Sequence, residues 1–339
     1  MEWYWILIIV IISLYIILAA TLFCFPPWRK ENPIIIDLDE NKVLLGSHRA
    51  GSKERFESTI PAFRNSLGQA MNFIELDVHT TKDGKIVVFH DPTVYRMTGL
   101  DRTIEELNYD EIPPIMDRVK FPFGDGFYEK QEGIDEPRVP LLREIFELFP
   151  GVPMNIDLKR GSPEQAQEVY NMILEFKRED ITYIGDTFEK ENKIVNKIIK
   201  GTRVRSFASV QYTIRTVLLY FLGILQFFPF KYHSFWWPYI PPPVKWMKHE
   251  NKKLSCKYSC ILKIFQCCTW LMKPMFWHLK RKGVLVIFWG IDTQQEFRQA
   301  LKYPIHGVLT DCPSEMRKAM DSITEKYKTT LPLPKRKGV

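Results

Sequence analysis

Val43-Leu44-Leu45-Gly46-Ser47-His48-Arg49-Ala50-Gly51 is the stretch from which the rest of the chain is read. A short apolar run ends in a histidine, an arginine and a glycine, the pattern of a buried strand that delivers polar side chains at its C-terminal end. The pattern returns in Phe73-Ile74-Glu75-Leu76-Asp77 and again in Ile86-Val87-Val88-Phe89-His90-Asp91-Pro92. Residues two apart on a strand share a face, so Glu75 and Asp77 project together. Two carboxylates on one face repel each other, and a divalent cation relieves that repulsion. Histidines beside such a cation suit general acid–base work. The combination points to metal-assisted chemistry on a phosphate ester.

The alternation of strand and helix continues outward from this stretch. Strands are expected at Val43–His48, Phe73–Val78, Ile86–Phe89, Val152–Leu158, around Tyr183, and at Arg203–Ala208, Val284–Trp289 and Gly307–Thr310. Helices are expected at Thr59–Ala70, Leu141–Phe149, Ser162–Phe176, Lys190–Lys200 and Thr293–Leu301, with a last one capped by Ser314. Ser162 followed by Pro163 is a helix-start signal. Residues 91–140, rich in Pro, Gly, Asp and aromatics, read as an insertion after the second strand region. About eight β/α units in one domain predict an α/β fold, a closed (β/α)8 TIM-type barrel. An open doubly wound sheet is the alternative, but its usual Gly-rich phosphate loop after the first strand is missing. A barrel carries its chemistry at the C-terminal ends of its strands. The assignments place His48, Glu75, Asp77, His90, Asp157, Lys159, Trp289 and Asp311 there.

The ends of the chain read differently. Trp3 to Phe25 is almost entirely apolar and uncharged, long enough to span a bilayer. Trp3, Tyr4 and Trp5 at one end and Trp28 beyond the other match interfacial aromatics. A cleavable signal is disfavoured by the missing basic n-region and by Pro26-Pro27. The chain thus divides into an anchor at 1–28, a barrel at 40–325 and a basic tail at 326–339. Arg29 and Lys30 after the span, against Glu2 before it, put the barrel on the cytosolic side of an endoplasmic reticulum or other intracellular membrane. The stretch 217–240, apolar up to Phe230 and then Phe235-Trp236-Trp237-Pro238-Tyr239-Ile240, is expected to dip into the lipid surface beside the barrel mouth. Net charge is +7, which fits an anionic substrate or membrane lipid. With no arginine-rich arm, no nucleic-acid partner is expected. Four of the six cysteines, Cys256, Cys260, Cys267 and Cys268, cluster without a standard zinc spacing. Thiols open to palmitoylation fit the cluster better than zinc, and plain structural cysteines are the default.

Taken together, His48-Arg49-Ala50-Gly51, Glu57-Ser58-Thr59, Glu75-Leu76-Asp77-Val78, Thr81-Lys82-Asp83-Gly84, His90-Asp91, Asn155-Ile156-Asp157-Leu158-Lys159 and Leu309-Thr310-Asp311-Cys312-Pro313 resemble the glycerophosphodiester phosphodiesterase family. The motifs occur in order across residues 43–320. The anchor and the apolar segment further resemble its membrane-bound, lysophospholipase D-like branch. The resemblance implies one divalent ion, magnesium or calcium, held by Glu75, Asp77 and Asp157. It implies His48 and His90 as the catalytic acid and base, with His90 alternatively on the metal. Arg49 and Lys159 fall near the phosphate and Trp289 in the substrate groove. The implied reaction is hydrolysis of lysoglycerophospholipids to lysophosphatidic acid and choline, ethanolamine or an N-acylethanolamine. The alternative is a soluble diester such as glycerophosphocholine. A phosphatidylinositol-type phospholipase C shares the two-histidine logic, but is not expected to carry Thr-Lys-Asp-Gly or Leu-Thr-Asp-Cys-Pro. Ala50, Ser58 and Asp157 depart from the common Gly, Asn and Glu. Ala50 is a small change unless the position needs a positive φ.

Overall fold

The computed structural model describes residues 3–36, 43–121, 126–239 and 256–322. The predicted basic tail at 326–339 lies outside the described residues. Seven parallel strands form one curled sheet: β1 (Leu44–Ser47), β2 (Phe73–Thr80), β6 (Met154–Leu158), β7 (Thr182–Gly185), β8 (Ser234–Pro238), β9 (Leu285–Trp289) and β10 (Gly307–Thr310). Their spatial order is β7-β6-β2-β1-β10-β9-β8. Single bridges from Arg205 to Tyr183 on β7 and from Phe207 to Ser234 on β8 join the two ends of that order. The expected (β/α)8 barrel is therefore present, with its eighth staff reduced to two bridges. Its backbone still bonds both neighbours, with Ile184 N donating to Arg205 O at 2.8 Å and Ala208 N to Ser234 O at 2.9 Å.

Two sequence assignments change. The Ile86–Phe89 run gives β3 (Ile86–Val88), which pairs antiparallel with β2 and is not a barrel staff. Thr81-Lys82-Asp83-Gly84 turns the chain back on itself, with Gly84 at φ 78 and its N–H on Thr81 O at 2.9 Å. The missing staff is β8, hidden in the aromatic run that reads as lipid-contacting. Phe235 and Trp237 point outward and are buried under the covering helices, while Trp236 packs inward. The rest of the stretch 217–239 is the second half of helix Val210–Phe221 and a turn. Leu218, Phe221, Leu222 and Phe228 there remain exposed.

Helices Ile60–Gly68, Leu142–Leu148, Pro163–Glu175, Glu189–Ile198, Val210–Phe221, Lys273–Arg281, Gln294–Ala300 and Pro313–Asp321 ring the sheet. Ser162 caps its helix as expected, accepting from Gln165 N at 3.1 Å. Ser314 does not cap: the last helix starts at Pro313, and the Ser314 hydroxyl instead donates to Glu54 at 2.7 Å. The cysteine cluster falls on an additional helix, Cys256–Leu271, where Cys260, Cys267 and Cys268 are free thiols. The insertion folds around its own core of Phe56, Phe89, Val94, Met97 and Ile115 and carries the hairpin β4 (Arg118–Lys120) and β5 (Phe127–Glu129).

The barrel floor is filled by Leu44, Phe73, Tyr183, Leu285, Ile287 and Leu309, closed by Ile34 from the N-terminal linker. Gly46 sits where a Cβ would come within 2.2 Å of Leu309, so this layer admits no side chain there. Asn32 accepts from Tyr183 Oη at 2.6 Å and donates to His233 O at 3.3 Å, so the segment after the apolar helix is stitched into the floor. That helix, Trp3–Cys24, is 22 residues with no buried residue and a mean hydropathy of 3.0. At about 1.5 Å per residue it is long and apolar enough to cross a membrane. Tyr15 Oη donates to Gly223 O at 3.1 Å, and Phe23 stacks on His278 at 4.5 Å.

Candidate active site

The site is built where the strands end. Just past β1 the chain makes a tight turn, with Arg49 at φ 48, Ala50 at φ 59 and Gly51 at φ 89. The turn aims three groups at once. His48 Nδ1 donates to Asp311 Oδ1 at 2.8 Å, leaving Nε2 on the cavity side, 3.9 Å from Glu75 Oε2. The Arg49 amide donates to Glu75 Oε2 at 3.1 Å. The buried Arg49 guanidinium lies 3.6 Å from Asp77 and 3.4 Å from Glu57. Ala50 therefore does occupy a left-handed position, and so does Ser58 at φ 61, whose amide donates to Arg49 O at 2.9 Å. Both departures from the common motif carry backbone strain that glycine or asparagine relieves.

Asp311 follows β10 and is fixed by Ser52 Oγ at 2.7 Å, while its own amide donates to Asp292 at 2.8 Å. Burial disfavours its charge, but His48 and Lys53 outweigh burial and hold its pKa down at about 2. Burial likewise works against a charged His48, and Asp311 more than compensates, raising the imidazole above its ordinary value.

Register places four polar side chains side by side on the inner face. Glu75 pairs with Asn155 and Asp77 with Asp157 across β2 and β6. Burial first, then the charge of Asp77, pushes the Glu75 carboxyl up to about 7. Burial opposes ionisation of Asp77 too, yet Lys159, His90 and Arg49 together hold it well below the carboxylate range. Lys159 Nζ bridges Asp77 Oδ1 at 2.8 Å and Asp157 Oδ2 at 2.6 Å, and Thr187 donates to Asp157 at 2.8 Å. Three buried oxygens, Asp77 Oδ2, Asn155 Oδ1 and Asp157 Oδ1, accept no hydrogen bond. Unsatisfied buried oxygens are costly, and an oxygen-only set of this kind fits a hard divalent cation.

His90 follows β3 and binds Asp91 through Nδ1 at 2.8 Å. Glu57, His90 and Asp91 bring potential ligand atoms within 4.8 Å of one another. Arg96 already spans the two carboxylates there, at 2.7 Å from Glu57 and 2.6 Å from Asp91, so this cluster is charge-matched from within.

A cavity of about 520 Å³ opens over these groups. Every predicted residue, His48, Arg49, Glu75, Asp77, His90, Asp157, Lys159 and Trp289, lines it. The polar floor gives way on one side to Phe207, Val210, Ile214, Trp236 and Phe265. Sequence reasoning placed Asp311 at a strand end without its role of orienting His48. It missed Asn155, although two-residue alternation from Asp157 puts it on the same face. It also missed Arg96, in a single helical turn (Tyr95–Thr98), and Thr187, in a loop, neither of which carries a periodic signal.

A phosphate diester needs its negative charge matched and its leaving oxygen protonated. Buried cations beside two histidines on a (β/α)8 barrel answer both needs and define a phosphoric diester hydrolase. The comparisons give the particular group. A profile of the Glycerophosphoryl diester phosphodiesterase family matches residues 48–315, and the chain belongs to that family. Members generally depend on a divalent metal. The chain is 33% identical over 280 residues to Lysophospholipase D GDPD1 of Rattus norvegicus, covering 82% of this chain and 86% of that protein. It is 29% identical over 288 residues to Lysophospholipase D GDPD3 of Homo sapiens, covering 83% and 86%. The fold is shared with a glycerophosphodiester phosphodiesterase of Agrobacterium tumefaciens, with TM-score 0.55, 17% identity, and 81% of this chain and 99% of that one covered. It is also shared with an Oleispira antarctica phosphodiesterase solved with the product sn-glycerol-3-phosphate, with TM-score 0.53, 14% identity, and 86% and 100% covered.

Proposed function

We propose that the chain is a membrane-anchored lysophospholipase D, converting lysoglycerophospholipids to lysophosphatidic acid and choline, ethanolamine or an N-acylethanolamine. The observation that carries this reading is the two-sided cavity: a floor of charged groups for the phosphate, continuous with a wall of Phe207, Val210, Ile214, Trp236 and Phe265 suited to hydrocarbon. A soluble diester such as glycerophosphocholine would use only the floor. The names of the 33% and 29% identical relatives and the exposed apolar N-terminal helix support the same reading.

Glu75, Asp77 and Asp157, with Asn155 beside them, are assigned to hold magnesium or calcium. The bound ion would supply positive charge against the phosphoryl oxygens. Arg49 and Lys159 add fixed charge on either side. His48, held in one orientation by Asp311, presents Nε2 to the cavity, and His90 is set by Asp91 in the same way. One histidine takes the proton of the attacking glycerol 2-hydroxyl and the other protonates the departing headgroup oxygen. The cyclic phosphate that results is then opened by water, with the two roles exchanged. Arg29 and Lys30 after the span support a barrel on the cytosolic side.

Choline release from lysophosphatidylcholine and from glycerophosphocholine, measured side by side on the detergent-purified protein, tests the assignment. Turnover of the lysolipid well above that of the soluble diester is expected. Turnover of glycerophosphocholine alone would move the substrate to the soluble class.

A further inference from the structure

Helix Val210–Phe221 packs Tyr212, Val217, Leu219 and Tyr220 against the core but turns its other apolar residues away from it. Thr216 is its one buried residue. Val210, Ile214, Leu218 and Leu222, which closes the helix, are 50%, 55%, 57% and 68% exposed. Spaced four apart, they form one ridge along the helix. Exposed Gln211 and Arg215 border it toward the cavity end, and Phe221, 50% exposed, widens it at the other.

The two ends of the ridge meet different partners. At the upper end Val210 and Ile214 line the catalytic cavity, together with Phe265 of the adjacent helix. At the lower end the chain turns at Gly223, whose carbonyl accepts from Tyr15 of the apolar N-terminal helix, and Phe227 lies 5.8 Å from the Tyr15 ring. From Val210 to Leu222 the ridge runs about 18 Å at the helical rise, a length suited to a long acyl chain. An exposed apolar strip joining a phosphodiester site to a bilayer-spanning helix is costly in water and useful only against hydrocarbon.

We infer that this ridge is the acyl-chain track of the enzyme. The single hydrocarbon chain of the substrate lies along Val210, Ile214, Leu218 and Leu222, with its phosphate on the cavity floor and its far end beside the N-terminal helix. The inference rests on the lysophospholipase D reading for its ligand, a single-chain glycerophospholipid.

Two measurements on the full-length protein in lipid nanodiscs test it. The first compares hexanoyl with palmitoyl lysophosphatidylcholine. Each methylene withdrawn from water strengthens binding up to roughly fourfold. The wild-type protein should therefore favour the long chain in kcat/KM by roughly tenfold or more, and the double variant Leu218→Gln, Leu222→Gln should lose most of that preference. A double variant that keeps the wild-type preference overturns the track. The second is independent of turnover and of variant folding: a palmitoyl-length lysolipid with a mid-chain diazirine is photolysed on the wild-type protein and the label mapped by mass spectrometry. Label on residues 214–222 supports the track, and label confined to other segments overturns it. Label on the ridge without turnover of any lysolipid would sink the lysophospholipase D reading while leaving the ridge as a chain-binding site.

Discussion

Lys159 Nζ lies 2.8 Å from Asp77 Oδ1, placing an ammonium against a carboxylate that is almost fully buried. The same ammonium reaches Asp157 at 2.6 Å. Lys159 thus serves as internal counter-ion for the pair of carboxylates assigned to the metal. Losing one partner of a buried pair typically costs about 3–5 kcal/mol, and the partial exposure of Lys159 places its loss toward the lower end. Lys159→Met should therefore lower stability in chelator by roughly 3 kcal/mol. Calorimetric titration should show tighter divalent-metal binding, because the variant site is one unit more negative. Unchanged metal affinity would show that Lys159 and the ion do not share these carboxylates.

Asp311 acts on His48 through the 2.8 Å contact to Nδ1. Asp311→Asn keeps the shape but removes the charge that favours the correct ring orientation and tautomer. Loss of kcat by roughly a hundredfold or more is expected, with little change in KM, by analogy with carboxylate–histidine pairs elsewhere. Because Asp311 raises the His48 pKa, the limb of the pH–rate profile that reports His48 should move to lower pH. A variant with normal kcat and an unmoved limb would mean that Asp311 is structural only.

Ser58 combines a φ of 61 with a buried hydroxyl that has no hydrogen-bond partner. Ser58→Gly removes both costs and should raise stability by about 1 kcal/mol, read as a higher denaturation midpoint in detergent. A lower midpoint would show that the hydroxyl makes an interaction worth keeping.

His278 ties the barrel to the apolar helix, donating from Nδ1 to Phe23 O at 2.7 Å. Burial lowers its pKa to about 4, so the folded protein holds it neutral. A depressed histidine binds fewer protons in the folded than in the unfolded state. Its contribution is therefore fully present above the unfolded value of 6.5 and is lost as pH falls toward 4. His278→Phe should flatten the difference between thermal midpoints at pH 7 and pH 4.5 relative to the wild type. An equal acid-induced drop in both proteins would place the sensitivity elsewhere.

Much of this was legible in the sequence for one reason: a parallel barrel strand is buried on both faces and reads as an apolar run, with its functional side chain at the end. That sufficed for β1, β2, β6, β9 and β10, and for every residue predicted to face the cavity. It failed where burial does not distinguish partners. Val87 is as buried in an antiparallel hairpin as Leu45 is in the barrel, so β3 was counted as a staff. Trp236 and Trp237 are covered from opposite sides by protein, and nothing in an aromatic run says whether its cover is protein or lipid. The left-handed positions of Ala50 and Ser58 were invisible because they arise from the turn that aims His48 and Arg49, a tertiary requirement.

The central claim is that the floor of this cavity cleaves a lysophospholipid at its headgroup bond. Mass-spectrometric detection of lysophosphatidic acid from lysophosphatidylcholine tests it most directly, comparing wild type and His48→Ala, each with magnesium, calcium or chelator. Metal-dependent lysophosphatidic acid from the wild type and a loss of at least about a hundredfold in the variant are expected. Undiminished product from His48→Ala, or none from the metal-loaded wild type, would contradict it.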